Sequence, residues 1–143
     1  MTQQDKELLL RDLSARLPYG VKFACNKNVY TAKGLDLIVT DEGDWEYAVT
    51  AKGIAPIEID FIKPYLFPLS SMNKEQKEEL KNEISKQTDI LIERMKNDDC
   101  GIDCGKYHFH SLLELEWLLK NHFDYRGLIP KGLAIDATGL NIY

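Results

Sequence analysis

The sequence predicts an α+β fold, because its helical and its strand-like hydrophobic patterns occupy different stretches of the chain. Apolar residues recur at helical spacing in residues 3–17 and again beyond residue 73, whereas residues 21–62 are rich in β-branched side chains and alternate with period two. Short polar turns separate the strand-like runs, which favours a small antiparallel sheet, either open or barrel-like. We therefore expect an N-terminal helix, this sheet, two C-terminal helices and a short final strand.

Length and composition limit what the protein can be. A chain of 143 residues favours a single domain over residues 1–143, with the first helix and the sheet in residues 1–72 and a mainly helical part in residues 73–143. The 18 basic and 23 acidic side chains give a net charge of −5 and are mixed along the chain, which disfavours nucleic acid as the main partner. No apolar stretch reaches the ~18 residues of a membrane span. The three cysteines, an odd number, and an N-terminus without a signal-peptide pattern favour the cytoplasm.

The first half of the chain contains one helical and several strand-like patterns. The Thr2 hydroxyl can cap a helix over residues 3–17, whose apolar stripe includes Leu9 and Leu13. Period-two alternation then indicates strands, and in one of them Trp45 and Tyr47 share a face. The predicted strands cover residues 21–25, 29–32, 35–40, 45–50 and 57–62.

The second half is predicted to be mainly helical. Residues 63–71 contain two prolines but are too apolar for a free linker, so we expect this segment to lie packed across the sheet. A long helix is predicted over residues 73–96, and the capping box of Ser111 and Glu114 predicts the start of another that runs to about residue 121. A short strand is expected around residues 133–135.

One group of residues resembles a metal site. Cys100, Cys104, His108 and His110 supply thiolates and imidazoles within eleven residues, and such ligands suit tetrahedral zinc. The spacing lacks the paired C-x2-C pattern of common zinc sites, so a surface loop with idle thiols is the favoured interpretation. We expect no cofactor, with zinc as the alternative.

Residues 122–127 could combine a histidine base, an orienting aspartate and an arginine. The favoured interpretation is a helix end, in which Asp124 pairs with Arg126 and Gly127 adopts a positive φ. The chain contains no G-x-S-x-G, G-x-G-x-x-G or P-loop motif. We therefore expect no enzymatic activity.

Aromatic residues provide the remaining candidates. Phe67 and Trp117 are expected in the core, whereas Tyr65, Tyr125 and Arg126 are the candidates for an exposed surface that binds another protein. Such a surface could equally use the edge of the sheet.

Three stretches resemble a known family. They are LLLRDLSARLPYG at residues 8–20, IKPYLFPLSSM at residues 62–72 and HFDYRGLIPKGLA at residues 122–134. They resemble small uncharacterised proteins encoded by gut bacteria and by their phages or mobile elements. The resemblance leaves out residues 97–110 and implies no activity, ligand or catalytic residue. It implies a cytoplasmic accessory protein, of prophage or mobile-element origin.

These observations favour a non-enzymatic protein-interaction or accessory protein. The alternative is a small zinc-binding protein that uses the loop at residues 97–110. A nucleic-acid-binding barrel is a third hypothesis, since small barrels often bind oligonucleotides. The sequence predicts neither the identity of the partner nor the oligomeric state.

Overall fold

The structure, a computed structural model, describes residues 1–97 and 106–143 and confirms the α+β class. Three short 3-10 helices accompany the main elements, at Leu17–Tyr19, Ile59–Phe61 and Leu69–Ser71. The main elements in chain order are α1 (Gln3–Arg16), β1 (Lys22–Cys25), β2 (Asn28–Val39), β3 (Trp45–Ala51), β4 (Ile57–Glu58), β5 (Lys63–Leu66), α2 (Lys74–Asn97), α3 (Lys106–Lys120) and β6 (Ile135–Asp136).

The strands form one open, mixed sheet in the order β4-β3-β2-β1-β5-β6. Neighbouring strands are antiparallel except β5 and β6, which are parallel. The edge strands β4 and β6 are two residues long and do not pair with each other, so the sheet does not close into a barrel.

Strand β2 joins two of the predicted strands into one. Its first residues pair with β1 and its remaining residues pair with β3, with a register shift between Ala32 and Gly34. A Cβ atom at Gly34 would lie 3.1 Å from Thr50 Oγ1, so a residue without a side chain fits this close approach. The shift lets the chain change direction without ending the strand.

Other predicted elements also differ from the structure. Residues 57–62 form only β4 and a 3-10 helix, and residues 63–66 form the strand β5 within the sheet instead of a segment packed across it. Pro64 argued against a strand because it lacks an N–H, but β5 has only two paired positions on each side, so little of its ladder is lost. Helix α3 begins at Lys106, so Ser111 lies inside it and not at its start.

The core draws on both halves of the sequence. Leu9 and Leu13 of α1 pack with Phe23 of β1 and with Leu128 and Leu133, which follow α3. A second cluster joins α3 to the segment after β5, and its members are Trp117, Leu118 and Phe123 with Phe67, Met72, Leu80 and Tyr125. Residues 1–72 and 73–143 therefore share a hydrophobic core.

Candidate functional site

A buried ion pair lies on helix α1. Asp12 and Arg16 are one turn apart, which places their side chains on the same face of the helix. Arg16 Nε donates to Asp12 Oδ2 at 2.7 Å and Arg16 Nη2 donates to Oδ1 at 3.2 Å. Both residues have no solvent exposure. The bidentate geometry offsets part of the cost of desolvating two charges.

The Arg16 guanidinium also holds the C-terminal end of α3. Its Nη2 donates to the Phe123 carbonyl oxygen at 2.7 Å, and its Nη1 donates to the Leu119 carbonyl oxygen at 3.4 Å. The Leu119 and Phe123 carbonyl oxygens each also accept one backbone N–H, from His122 and Tyr125, so Arg16 binds at their second acceptor positions. One arginine therefore ties α1 to the chain that follows α3.

Arg126 and Tyr125 complete what we call the ionic cluster, which consists of Asp12, Arg16, Tyr125 and Arg126. Arg126 Nε lies 3.4 Å from Asp12 Oδ1. The Tyr125 ring lies beneath both guanidinium groups, at 5.7 Å from Arg16 Cζ and 4.7 Å from Arg126 Cζ. Burial raises the pKa of the Tyr125 phenol. These contacts engage the Tyr125 ring and the Arg126 guanidinium within the chain.

His122 lies beside this cluster in a constrained position. Its φ is 59°, and its ring stacks on that of Tyr143 with the centroids 3.9 Å apart. Burial, helped by the positive charges of Arg16 and Lys22, lowers the pKa of His122 to about 4. The buried Nδ1 atom has no hydrogen-bond partner. His122 is therefore a neutral packing residue at neutral pH.

Asp124 has a structural role of its own. Its two carboxylate oxygens accept from the backbone N–H groups of Leu128 and Ile129, each at 2.8 Å. Asp124 therefore neither orients His122 nor pairs with Arg126, whose carboxylate partner is Asp12. Gly127 has the expected positive φ, 72°. The base, carboxylate and arginine of this segment are not assembled as a catalytic group.

The three residues proposed for partner binding are half-buried. The Arg126 guanidinium lies over the Tyr125 ring and pairs with Asp12. Tyr65 lies on β5, where its backbone oxygen accepts a hydrogen bond from the Tyr143 hydroxyl at 2.8 Å. The structure thus brings two of the three together, in contacts that hold the fold.

The proposed zinc ligands fall where the structure gives no ligand geometry. Cys100 and Cys104 lie outside the described residues, and for His108 and His110 the description is limited to the backbone of α3. Within residues 1–97 and 106–143, no group of three or more His, Cys, Asp or Glu side chains is placed to hold a metal ion. Zinc binding by the loop stays a prediction.

Exposed apolar side chains gather on the hairpin formed by β2 and β3. The register pairs Leu37 with Tyr47 and Val39 with Trp45, and directly paired residues share a face of the sheet. Their exposed fractions are 50% for Leu37, 54% for Val39, 70% for Trp45 and 48% for Tyr47. We call these four residues the hairpin patch.

The hairpin patch continues the face that forms the core. The next pair on the same face joins Leu35 with Val49, and both pack in the main hydrophobic cluster. The outer part of the hairpin extends past the residues that pack on this face. Its apolar side chains therefore contact water, whereas Leu35 and Val49 contact the core. A cavity of about 160 Å³ lies beside Trp45 and Tyr47, against the first turns of α1.

The sequence indicates which face of the hairpin is apolar, but it does not indicate that part of this face is exposed. Trp45, Tyr47 and Val49 alternate on one face, and Leu35, Leu37 and Val39 alternate in the preceding strand. Both patterns predict an apolar face correctly. Tertiary packing decides how much of that face other residues bury. The exposure of the outer residues of the hairpin could therefore not be predicted.

Comparison of the chain with protein-family models, with curated proteins and with solved structures finds no match in any of the three. No helix in the part of the chain that the structure describes is both long enough and apolar enough to cross a membrane.

Proposed function

We propose that this protein is a non-enzymatic interaction protein that binds another protein through the hairpin patch. The observation that carries the proposal is the presence of four large apolar side chains on one face, each about half exposed or more. Burying apolar surface is worth about 25 cal/mol per Å², and concentrated apolar surface on a protein often marks an interaction site. Tryptophan and tyrosine are also the residue types that most often dominate binding energy.

The ionic cluster supports the same choice of surface. Tyr125 and Arg126, the candidates from the sequence, are engaged with Asp12 and Arg16 inside the chain. A partner that used these groups would have to replace contacts that hold α1 to the end of α3. The hairpin patch can gain contacts without losing any of these.

The cellular context belongs to the proposal as well. We propose an accessory role in the cytoplasm, with an origin in a prophage or another mobile element. The resemblance at residues 8–20, 62–72 and 122–134 supports this context. A chain with mixed charges and an exposed apolar face suits a protein that acts by binding another.

Site-specific photo-crosslinking tests the proposal. Benzoyl-phenylalanine in place of Tyr47 should give a discrete adduct with one protein in expressing cells, and adding Trp45→Ala should remove most of that adduct. The matched control places the same residue at Leu112, which is 60% exposed on α3. The same adducts at both positions, or none at position 47, would overturn the proposal.

A further inference from the structure

We infer that the segment docking on the hairpin patch is basic as well as apolar, with lysine or arginine side chains beside its apolar anchors. This inference rests on the proposed function and adds the chemistry of the partner to it. Its basis is the distribution of charge on the hairpin.

The outer part of the hairpin, beyond Lys33 at the register shift in β2, is acidic without compensation in its own sequence. Residues 34–51 contain five carboxylates and no lysine or arginine. The five are Asp36, Asp41, Glu42, Asp44 and Glu46. In a chain whose charges are otherwise mixed, this stretch is a local concentration of negative charge.

Three of these carboxylates lie at the turn beside the patch. Asp41, Glu42 and Asp44 are exposed, and the turn that carries them follows Val39 and precedes Trp45. The Thr40 N–H donates to the Asp44 carbonyl oxygen at 2.8 Å, which closes the turn. The acidic group is therefore held at a fixed place next to the apolar one.

Only one of the five carboxylates is neutralised within the described part of the chain. Lys6 Nζ reaches Glu46 at 3.0 Å and also pairs with Asp60, which leaves the carboxylates at the turn without a cation. The fold therefore presents negative charge at the turn, beyond the reach of this lysine. A partner with positive charge would supply what the described residues do not.

The chemistry of the patch fits such a partner. Opposite charges in water attract each other only weakly, so the carboxylates select and steer the partner while the apolar contacts supply most of the affinity. A guanidinium or ammonium group over the exposed ring of Trp45 or Tyr47 adds a favourable cation–π contact.

Other occupants fit less well. A second copy docked through the same patch would bring two sets of the same carboxylates into one interface, and like charges there are unfavourable. The phosphates of a nucleic acid would meet the same repulsion. The local charge thus favours a basic protein segment over both.

Peptide titrations test the inference with the full chain. Three synthetic amphipathic peptides share the same leucine and phenylalanine positions and carry lysine and arginine, glutamine, or glutamate between them. The basic peptide should shift the amide resonances of residues 37–47 and bind at least tenfold more tightly than the glutamine peptide. Its affinity should fall as salt is raised to about 0.5 M, because screening shortens the reach of the carboxylates.

A charge-matched pair of variants identifies the carboxylates responsible. The triple variant Asp41→Asn, Glu42→Gln, Asp44→Asn should weaken binding of the basic peptide about tenfold. The control removes three exposed carboxylates from α2 by Glu75→Gln, Glu79→Gln and Glu83→Gln and should leave the affinity unchanged.

The outcomes separate this inference from the proposed function. Equal binding of the glutamate and basic peptides at the patch would overturn the basic partner. So would binding of the basic peptide away from the patch, or no binding. The crosslinking from position 47 decides the interaction function independently, because it requires no assumption about charge.

Discussion

Two regions of this molecule differ from the usual distribution of side chains: one buries charged residues and the other exposes apolar residues. In the ionic cluster, Asp12 and Arg16 are fully buried, whereas in the hairpin patch Trp45 keeps most of its surface in water. The buried charges have their partners within the chain, whereas none of the residues that the structure describes covers the exposed apolar ones. Burial alone therefore does not identify a functional residue. What matters is whether the chain itself satisfies the group.

The ionic cluster has a structural role, because its buried charges are paired with groups of the same chain. A buried ion pair is weak evidence for net stabilisation, because desolvating two charges costs several kcal/mol each. Removing one member is a different matter, because the other charge stays buried without its partner. The ionic cluster therefore matters more for holding α1 against the end of α3 than for its net energy.

The largest effect is expected from breaking the ionic cluster. Asp12→Ala leaves the Arg16 guanidinium buried without its carboxylate, so we expect the free energy of unfolding to fall by about 3–5 kcal/mol. Urea denaturation at pH 7 measures this. The control is Glu78→Ala, which breaks the exposed pair with Lys81 and should cost at most about 0.5 kcal/mol.

Two results would show that the ionic cluster does not support the fold in this way. One is a loss for Asp12→Ala as small as that for Glu78→Ala. The other is equal stability of Asp12→Ala and Asp12→Asn, because the amide can still accept hydrogen bonds from Arg16 and should retain part of the stability. If Asp12→Ala does not fold, the Asn variant alone is compared with the control.

A smaller effect is expected from the pH dependence of His122. Its pKa is about 4 in the folded protein against an ordinary value of 6.5, so the unfolded chain binds more protons between these two values. The free energy of unfolding should therefore fall as the pH is lowered from 6.5 towards 4, by at most about 1.4 kcal/mol per pH unit for this residue.

The variant His122→Asn isolates that contribution. Asparagine tolerates the positive φ of this position and does not titrate, so its stability should decline less steeply than that of the parent chain between pH 7 and pH 5. Urea denaturation at each pH measures both slopes. Parallel curves would mean that His122 is not held neutral in the fold.

Much of the fold was predictable from local patterns. Period-two alternation predicted the strands around Phe23, Leu37 and Tyr47, and helical spacing predicted α1 and α2 nearly to their ends. The central strand β5 was missed because Pro64 is a signal against strands, and only the neighbours on both sides override it. The merging of two predicted strands into β2 was missed because Gly34 between them is as typical of a turn as of the register shift that it allows.

The site was less predictable, for a physical reason. Asp12 and Arg16 have the spacing of an ordinary surface pair on a helix, and their burial follows from packing with residues more than 100 positions away. The exposure of Trp45 likewise depends on where the cover of the sheet ends. Sequence patterns show which residues share a face, and they do not show what lies against that face.

The smallest effect on stability is expected from truncating side chains of the hairpin patch. The double variant Trp45→Ala, Tyr47→Ala removes two side chains that are about half exposed or more, so the free energy of unfolding should change by less than about 1 kcal/mol, mainly through lost cross-strand contacts. Trp117→Ala, a truncation of a buried tryptophan, should cost about 3–5 kcal/mol in the same urea experiment. The double variant should meanwhile lose the binding assigned to the patch. A large loss of stability in the double variant would show that these side chains support the fold, as Asp12 and Arg16 do.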